Sequence, residues 1–192
     1  MVTLSRARLL RLGAGLAAGA ALGGRTDGVL AQPVIQATEA EIKAAYLLRF
    51  IGFVEWPDTA FPAPDAPLRV GVLDADGIAA ELATMARGRV LGRRPIVPSR
   101  LRGSDGVAGL HALFVGRDSK GRLPDLIAAA NGQALLTVAE NGDTPVPGSA
   151  ITFVLVDGKV RFDVVPAVAE QLHVKISARL LKVARRVLSA PP

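Results

Sequence analysis

Apolar and polar positions divide the chain into segments of different period. Thr38 and Glu41 form a Thr-x-x-Glu capping box. Behind it, Ile42 to Val54 is apolar on nearly every side, broken by Lys43, Arg49 and Gly52. That pattern predicts a helix covered all round, stopped by Trp56-Pro57. Phe61 to Pro67 then holds three prolines in seven residues, an extended connector.

Short apolar runs and helical runs alternate after this point. Leu68 to Leu73 reads as a strand, Ile78 to Arg87 as a helix and Arg94 to Val97 as a short strand. Leu110 to Val115 is a further strand, Leu123 to Ala130 a helix closed by Asn131-Gly132, and Ala134 to Val138 another strand. Continuous apolar strands between helices predict helices covering a largely parallel sheet.

The last third changes period. Ala150 to Val156 and Val160 to Val165 are strands joined by Asp157-Gly158, a two-residue hairpin signal. In the second strand Val160, Phe162 and Val164 share one face, Arg161 and Asp163 the other. A short helix is expected around Ala167 to Leu172. A final amphipathic helix is expected from Ala178 to Leu188, with Leu180, Leu181, Ala184, Val187 and Leu188 on its apolar side. Arg179, Lys182 and Arg186 fall on its basic side, with Arg185 at the edge. The expected fold is one α/β domain over 32–192. It has a mixed, mostly parallel sheet flanked by helices in a Rossmann-like three-layer arrangement, ending in a C-terminal β-hairpin and an amphipathic helix.

Composition narrows this picture. Half of the 192 residues are hydrophobic and 21% charged, which excludes a disordered chain. Aromatic residues are only 4%, so the core is expected to be built from Ala, Val, Leu and Ile. There is no cysteine, which removes disulfides, thiolate nucleophiles and the commonest structural zinc sites.

The first residues read as a secretory leader. Met1 to Arg11 is basic, Leu12 to Leu22 contains only Ala, Gly and Leu, and Val29-Leu30-Ala31 suits cleavage before Gln32. Leu12 to Gly24 is short of the roughly 20 apolar residues that cross a bilayer. The missing Arg-Arg pair argues against twin-arginine export. A periplasmic location after Sec-type export is expected, with no membrane insertion once the leader is cut. The leader's four arginines against Asp27 account for half of the formal +6, leaving +3 on the remainder. That charge does not call for nucleic acid.

Candidate chemistry is sparse. No Gly-rich phosphate loop follows a predicted strand, and Gly148-Ser149-Ala150 lacks the frame of a nucleophile elbow. Asp74 and Asp76 stand just past a strand end, where open α/β sheets bind ligands, and two carboxylates suit magnesium. Equally, Asp76 suits the start of the next helix and Asp74 the strand end. A hydrolase using the pair with a metal is thus one hypothesis. His111 and His173 are isolated in sequence and read as structural or surface groups rather than metal ligands. The polar stretch at Lys175, Ser177 and Arg179 is the candidate binding site. Ser177 stands as N-cap, and the two cations flank a helix start able to hold a carboxylate or phosphate.

Two long segments carry a resemblance. Lys43-Ala-Ala-Tyr-Leu-Leu-Arg-Phe-Ile-Gly-Phe-Val-Glu-Trp-Pro57 resembles the N-terminal signature of the YfiR family of periplasmic regulators. Gly148-Ser-Ala-Ile-Thr-Phe-Val-Leu-Val-Asp-Gly-Lys-Val-Arg-Phe-Asp163, with Lys175-Ile-Ser-Ala-Arg-Leu-Leu181, resembles its C-terminal signature. The resemblance implies a non-enzymatic α/β domain without cofactor. It also implies that the protein binds the periplasmic sensor domain of an inner-membrane diguanylate cyclase and holds cyclic-di-GMP synthesis down, with effects on biofilm and motility. An outer-membrane lipoprotein that sequesters the repressor, and homodimers, belong to the same implication. Well-studied members carry disulfides, which this cysteine-free chain lacks. The competing reading is a periplasmic sensor of small anions that reports through another membrane receptor, such as a sensor kinase.

Overall fold

The computed structural model describes residues 37–103 and 105–189, so the predicted leader and its cleavage point lie outside the described residues. Helix α1 runs Glu39–Ile51 from the Thr38 capping box, both halves of which are made, and Gly52 ends it. Then follow β1 (Val54–Glu55), β2 (Leu68–Leu73), α2 (Asp76–Ala86), β3 (Val90–Leu91), β4 (Arg94–Leu101), β5 (Ala112–Val115), α3 (Leu123–Ala129) and β6 (Leu136–Glu140). The hairpin strands are β7 (Ile151–Val156) and β8 (Lys159–Val164), followed by α4 (Pro166–Gln171), β9 (Lys175–Ile176), α5 (Ala178–Leu181) and β10 (Arg186–Val187).

Eight strands form one sheet in the order β10-β8-β7-β6-β5-β2-β4-β3. Only β7–β8 and β3–β4 are antiparallel; the other neighbours run parallel. A separate two-stranded sheet joins β1 to β9. Alternation along each central strand feeds two cores. Ala112 and Phe114 of β5 face α1 and α2, while Leu113 and Val115 face the α3 side with Leu123 and Leu126. The mostly parallel α/β domain expected from the sequence is therefore observed.

Three expectations change. Aromatic residues are few but concentrated: Phe50 lies 4.8 Å from Phe162 and 5.5 Å from Phe153, and Tyr46 lies 5.5 Å from Phe162. The α1 face of the hairpin is thus an aromatic cluster rather than an aliphatic one. The strand at Arg94 continues to Leu101, across Pro98. On its outer edge the last bond to the β3 segment is Ile96 N–H donating to Arg89 O at 3.1 Å, and Pro98, two residues on, presents no N–H there. A proline on an exposed edge discourages further strand pairing.

The third change is at the C-terminus. The helix expected to reach Leu188 stops at Leu181. Beyond it the chain straightens into β10, where Arg185 N–H donates to Phe162 O at 2.8 Å and Leu188 N–H to Val164 O at 2.9 Å. Helical periodicity loses to a tertiary demand: Arg185 and Arg186 turn back onto Asp163, so the basic face formed by Arg179, Lys182 and Arg186 does not exist.

Candidate binding cleft

The Trp-Pro turn after β1 is held by one histidine. Trp56 Nε1–H donates to the His111 carbonyl at 2.9 Å. His111 Nδ1 accepts the Arg69 backbone N–H at 3.1 Å, and its Nε2 lies 3.1 Å from the Ala60 carbonyl. Only a neutral ring protonated at Nε2 satisfies both bonds. Burial pushes the His111 pKa down, and the charges of Arg69 and Arg94 add to this against the pull of the Ala60 carbonyl. Phe61 stacks on the imidazole at 4.3 Å between centroids, and the Arg94 guanidinium lies 3.6 Å from the Phe61 ring centre. The histidine is structural, as its isolation in sequence suggested.

This turn walls a cleft of about 590 Å³. The opposite walls are the approaches to β5 and β6 and the segment from Glu170 to Lys175. Gln133 fixes the floor, donating through Nε2 to Val107 O at 2.8 Å and Leu110 O at 3.2 Å and accepting from Gly109 N–H at 3.0 Å. Glu170, His173 and Lys175 bring exposed charge or ring nitrogen to the rim. The cleft thus sits at the N-terminal ends of β5 and β6, away from the edge where open α/β sheets bind ligands most often.

Of the three predicted binding residues, Lys175 lines this cleft, opposite Glu55 in the β1–β9 pair. Ser177 caps α5 by position, but its hydroxyl makes no capping bond and is buried without a partner. Arg179 is exposed and lies outside the cleft lining. Of the three, Lys175 alone belongs to the cleft lining, and α5, with four residues, offers little dipole.

The C-terminal strand edge behaves differently. The chain order reverses between β2 and β5, and a crevice of about 300 Å³ opens there, lined by Lys43, Asp74, Asp76, Arg117, Asp118 and Glu140. Most of its charges are held in ion pairs. Asp74 accepts from Ser119 Oγ at 2.5 Å and faces Arg122 at 3.6 Å. Asp76 pairs with Arg100 and with Arg102 at 3.4 Å. Lys43, buried, bonds Glu39 and Glu140, and Arg117 lies 3.5 Å from Glu140. A side chain at Gly116 would collide with the Asp74 carbonyl, so glycine is what lets the two loops close up. The magnesium reading for Asp74 and Asp76 finds no convergent pair. Among the described residues no group of three or more His, Cys, Asp or Glu is placed to hold a metal ion.

Another ionic cluster was not anticipated. Asp163 is fully buried and accepts from Arg185 Nε at 2.7 Å and Nη2 at 2.5 Å, and from Arg186 Nε at 3.1 Å and Nη2 at 2.6 Å. Burial pushes its pKa up, but the hydrogen bonds and charges of the two arginines outweigh that and hold the carboxyl below its ordinary value. The only sequence signal was an acidic residue in an alternating strand and an Arg-Arg pair downstream, which carry no register of their own.

The two signature segments meet in space. Val54 pairs with Ile176, Glu55 with Lys175, and Ser177 N–H donates to Phe53 O at 2.9 Å. A family model described as YfiR/HmsC-like matches residues 40–185. No curated protein matches the chain.

Proposed function

Because the chain belongs to the YfiR/HmsC-like family, we propose that it is a non-enzymatic periplasmic regulator that binds the sensor domain of an inner-membrane diguanylate cyclase and represses cyclic-di-GMP synthesis. The observation that carries this is the family match over 40–185, which runs from the second residue of α1 to Arg185, the first of the two arginines on Asp163. The chemistry is in keeping with docking. Buried His111, Lys43 and Asp163 are each consumed in structural bonds. Among the described residues no helix is long and apolar enough to cross a membrane.

In this reading the leader directs export, cleavage before Gln32 releases the domain, and an outer-membrane lipoprotein competes with the cyclase for it. Repression is a population shift, no larger than the difference in affinity for the two cyclase states. Deleting the gene should raise cyclic-di-GMP and biofilm, and re-expression should restore both. Unchanged cyclic-di-GMP in the deletion strain would refute the reading.

One observation favours a second reading, a sensor of small anions: the cleft of about 590 Å³ with Lys175 and His173 on its rim. A ligand there stabilises the fold by mass action. A melting shift with an anionic metabolite, lost in Lys175→Glu, supports it; a flat panel removes it.

A further inference from the structure

Helix α1 is apolar on nearly every side, yet only one side of it is covered. Ala44, Leu47, Phe50 and Ile51 turn into the core and are at most 3% exposed. Ile42, Tyr46 and Leu48 are half-buried and Ala45 is exposed. These four line a groove of about 470 Å³ whose remaining lining is Arg49 and, from the end of α2 and just beyond, Met85 and Arg89. At Leu48 and Arg89 it runs on into a depression of about 290 Å³, with Ile51, Leu91 and Ile96 among its lining and Val90, 60% exposed, alongside. An all-round apolar helix calls for cover on its outer stripe as well, and this chain does not supply it among the described residues.

Charge says what kind of cover fits. From Leu82 to Gly103 there is no acidic residue, while Arg87, Arg89, Arg93, Arg94, Arg100 and Arg102 all fall there. Arg94 is occupied by the Ala63 carbonyl and the Phe61 ring, and Arg100 and Arg102 by Asp76. Arg49, Arg87, Arg89 and Arg93 make no side-chain hydrogen bond or ion pair among the described residues. The carboxylates of α1 are a poor match from a second copy, since Glu39 already bonds Lys43 and Glu41 accepts from the Thr38 N–H. A flat anionic bilayer would meet the arginines but leave a concave groove unfilled.

We propose that this groove docks one amphipathic helix of a partner protein. Its apolar side chains, three and four residues apart, enter between α1 and α2, and its carboxylates meet Arg49 and Arg89. Ile42 to Arg49 spans about 10 Å, two turns of helix, which suits the spacing of a helix-in-groove contact. The inference rests on the regulator reading and names the face that reading would use.

The test has a cellular and a purified arm. In a deletion strain, Ala45→Arg, which blocks the groove from an exposed position, and the double variant Arg49→Glu/Arg89→Glu should each lose repression of cyclic-di-GMP, with melting temperatures unchanged. Arg161→Glu, exposed on the other side of the hairpin, should repress normally. In vitro, a labelled amphipathic peptide flanked by glutamates should bind the mature protein at least about tenfold tighter than its lysine-flanked twin, by anisotropy. The double charge reversal should invert that order. Groove variants that repress like the wild type, or two peptides that bind alike, overturn the proposal. So does light scattering that shows a dimer split by Ala45→Arg, which would give the groove to a second copy. Phosphatidylglycerol vesicles that sediment the wild type but not the double variant would give it to lipid. If the deletion itself leaves cyclic-di-GMP unchanged, the regulator reading fails while the peptide arm still decides the groove.

Discussion

Asp163 and His111 are both buried polar joints that tie an irregular segment to the sheet, and they do so in opposite electrical states. Asp163 holds the C-terminal strand as a charged carboxylate between two guanidiniums. His111 holds the Trp56–Phe61 turn as a neutral ring between a backbone donor and a backbone acceptor. The difference follows from what each segment offers. β10 arrives with two fixed cations, which stabilise a buried charge, whereas the turn offers only peptide groups and an aromatic ring. A buried imidazolium there would also sit near Arg69 and Arg94.

The largest expected effect is at the charged joint. Asp163→Ala takes the carboxylate from two guanidiniums, which keep only the Asp143 carbonyl, at 3.4 Å from Arg185 and 3.0 Å from Arg186. Breaking a buried pair from one side costs 3–5 kcal/mol in general, and here about 3, since both arginines keep some access to water. The melting temperature should fall by about 9 °C, and proteolysis should begin at the C-terminus. A fall of under about 2 °C would show that β10 contributes little to the fold.

His111→Ala comes next, at about 2 kcal/mol by chemical denaturation, because it strands the Arg69 N–H and the Ala60 carbonyl and removes the stack on Phe61. Acid separates the two joints further. For His111 the unfolded chain takes up a proton below pH 6.5 and the folded one resists it, so this contribution is complete above pH 6.5 and is lost as pH falls below it. For Asp163, also lowered, the contribution is complete above its unfolded value of 3.8 and is lost only as pH falls through the folded value. Stability of the wild type should therefore drop between pH 7 and pH 5. The drop should be smaller in His111→Ala and unchanged in Asp163→Ala. Parallel pH profiles for wild type and His111→Ala would show that this ring does not carry the neutral joint.

What the sequence made legible divides along the same line. Leu68 to Leu73, the Thr38–Glu41 cap and the Asp157-Gly158 hairpin were readable because each is decided by residues a few positions apart. The end of the chain was not. Leu180, Leu181, Ala184 and Leu188 have helical spacing, but the partner that straightens the segment, Asp163, lies more than twenty residues upstream of Arg185. The same holds for the candidate sites. Lys175 is legible as a cation beside a short element and does line a cleft, whereas Ser177 and Arg179 fall outside that lining and α5 spans only four residues. Lys43 read as a mere interruption of an apolar helix, because its partner Glu140 is on β6.

Lys43 supplies the smallest expected effect and the sharpest extension of the comparison, since its charge sits among carboxylates at the opposite strand edge. Removing a cation from the cluster by Lys43→Met keeps a long flexible side chain on the buried face of α1 and avoids its desolvation cost. Glu39, half exposed, recovers water, and Glu140 keeps Arg117 at 3.5 Å. Removing one partner of a buried pair is costly when it strands a charge; here one carboxylate is solvated and the other keeps a cation, so the change in unfolding free energy should stay within about 1 kcal/mol of zero. A loss of about 3 kcal/mol or more would mean that Lys43, like Asp163, is a joint the fold depends on. The crevice at the β2–β5 switch would then be held shut by charge rather than by the close approach of Gly116 to Asp74.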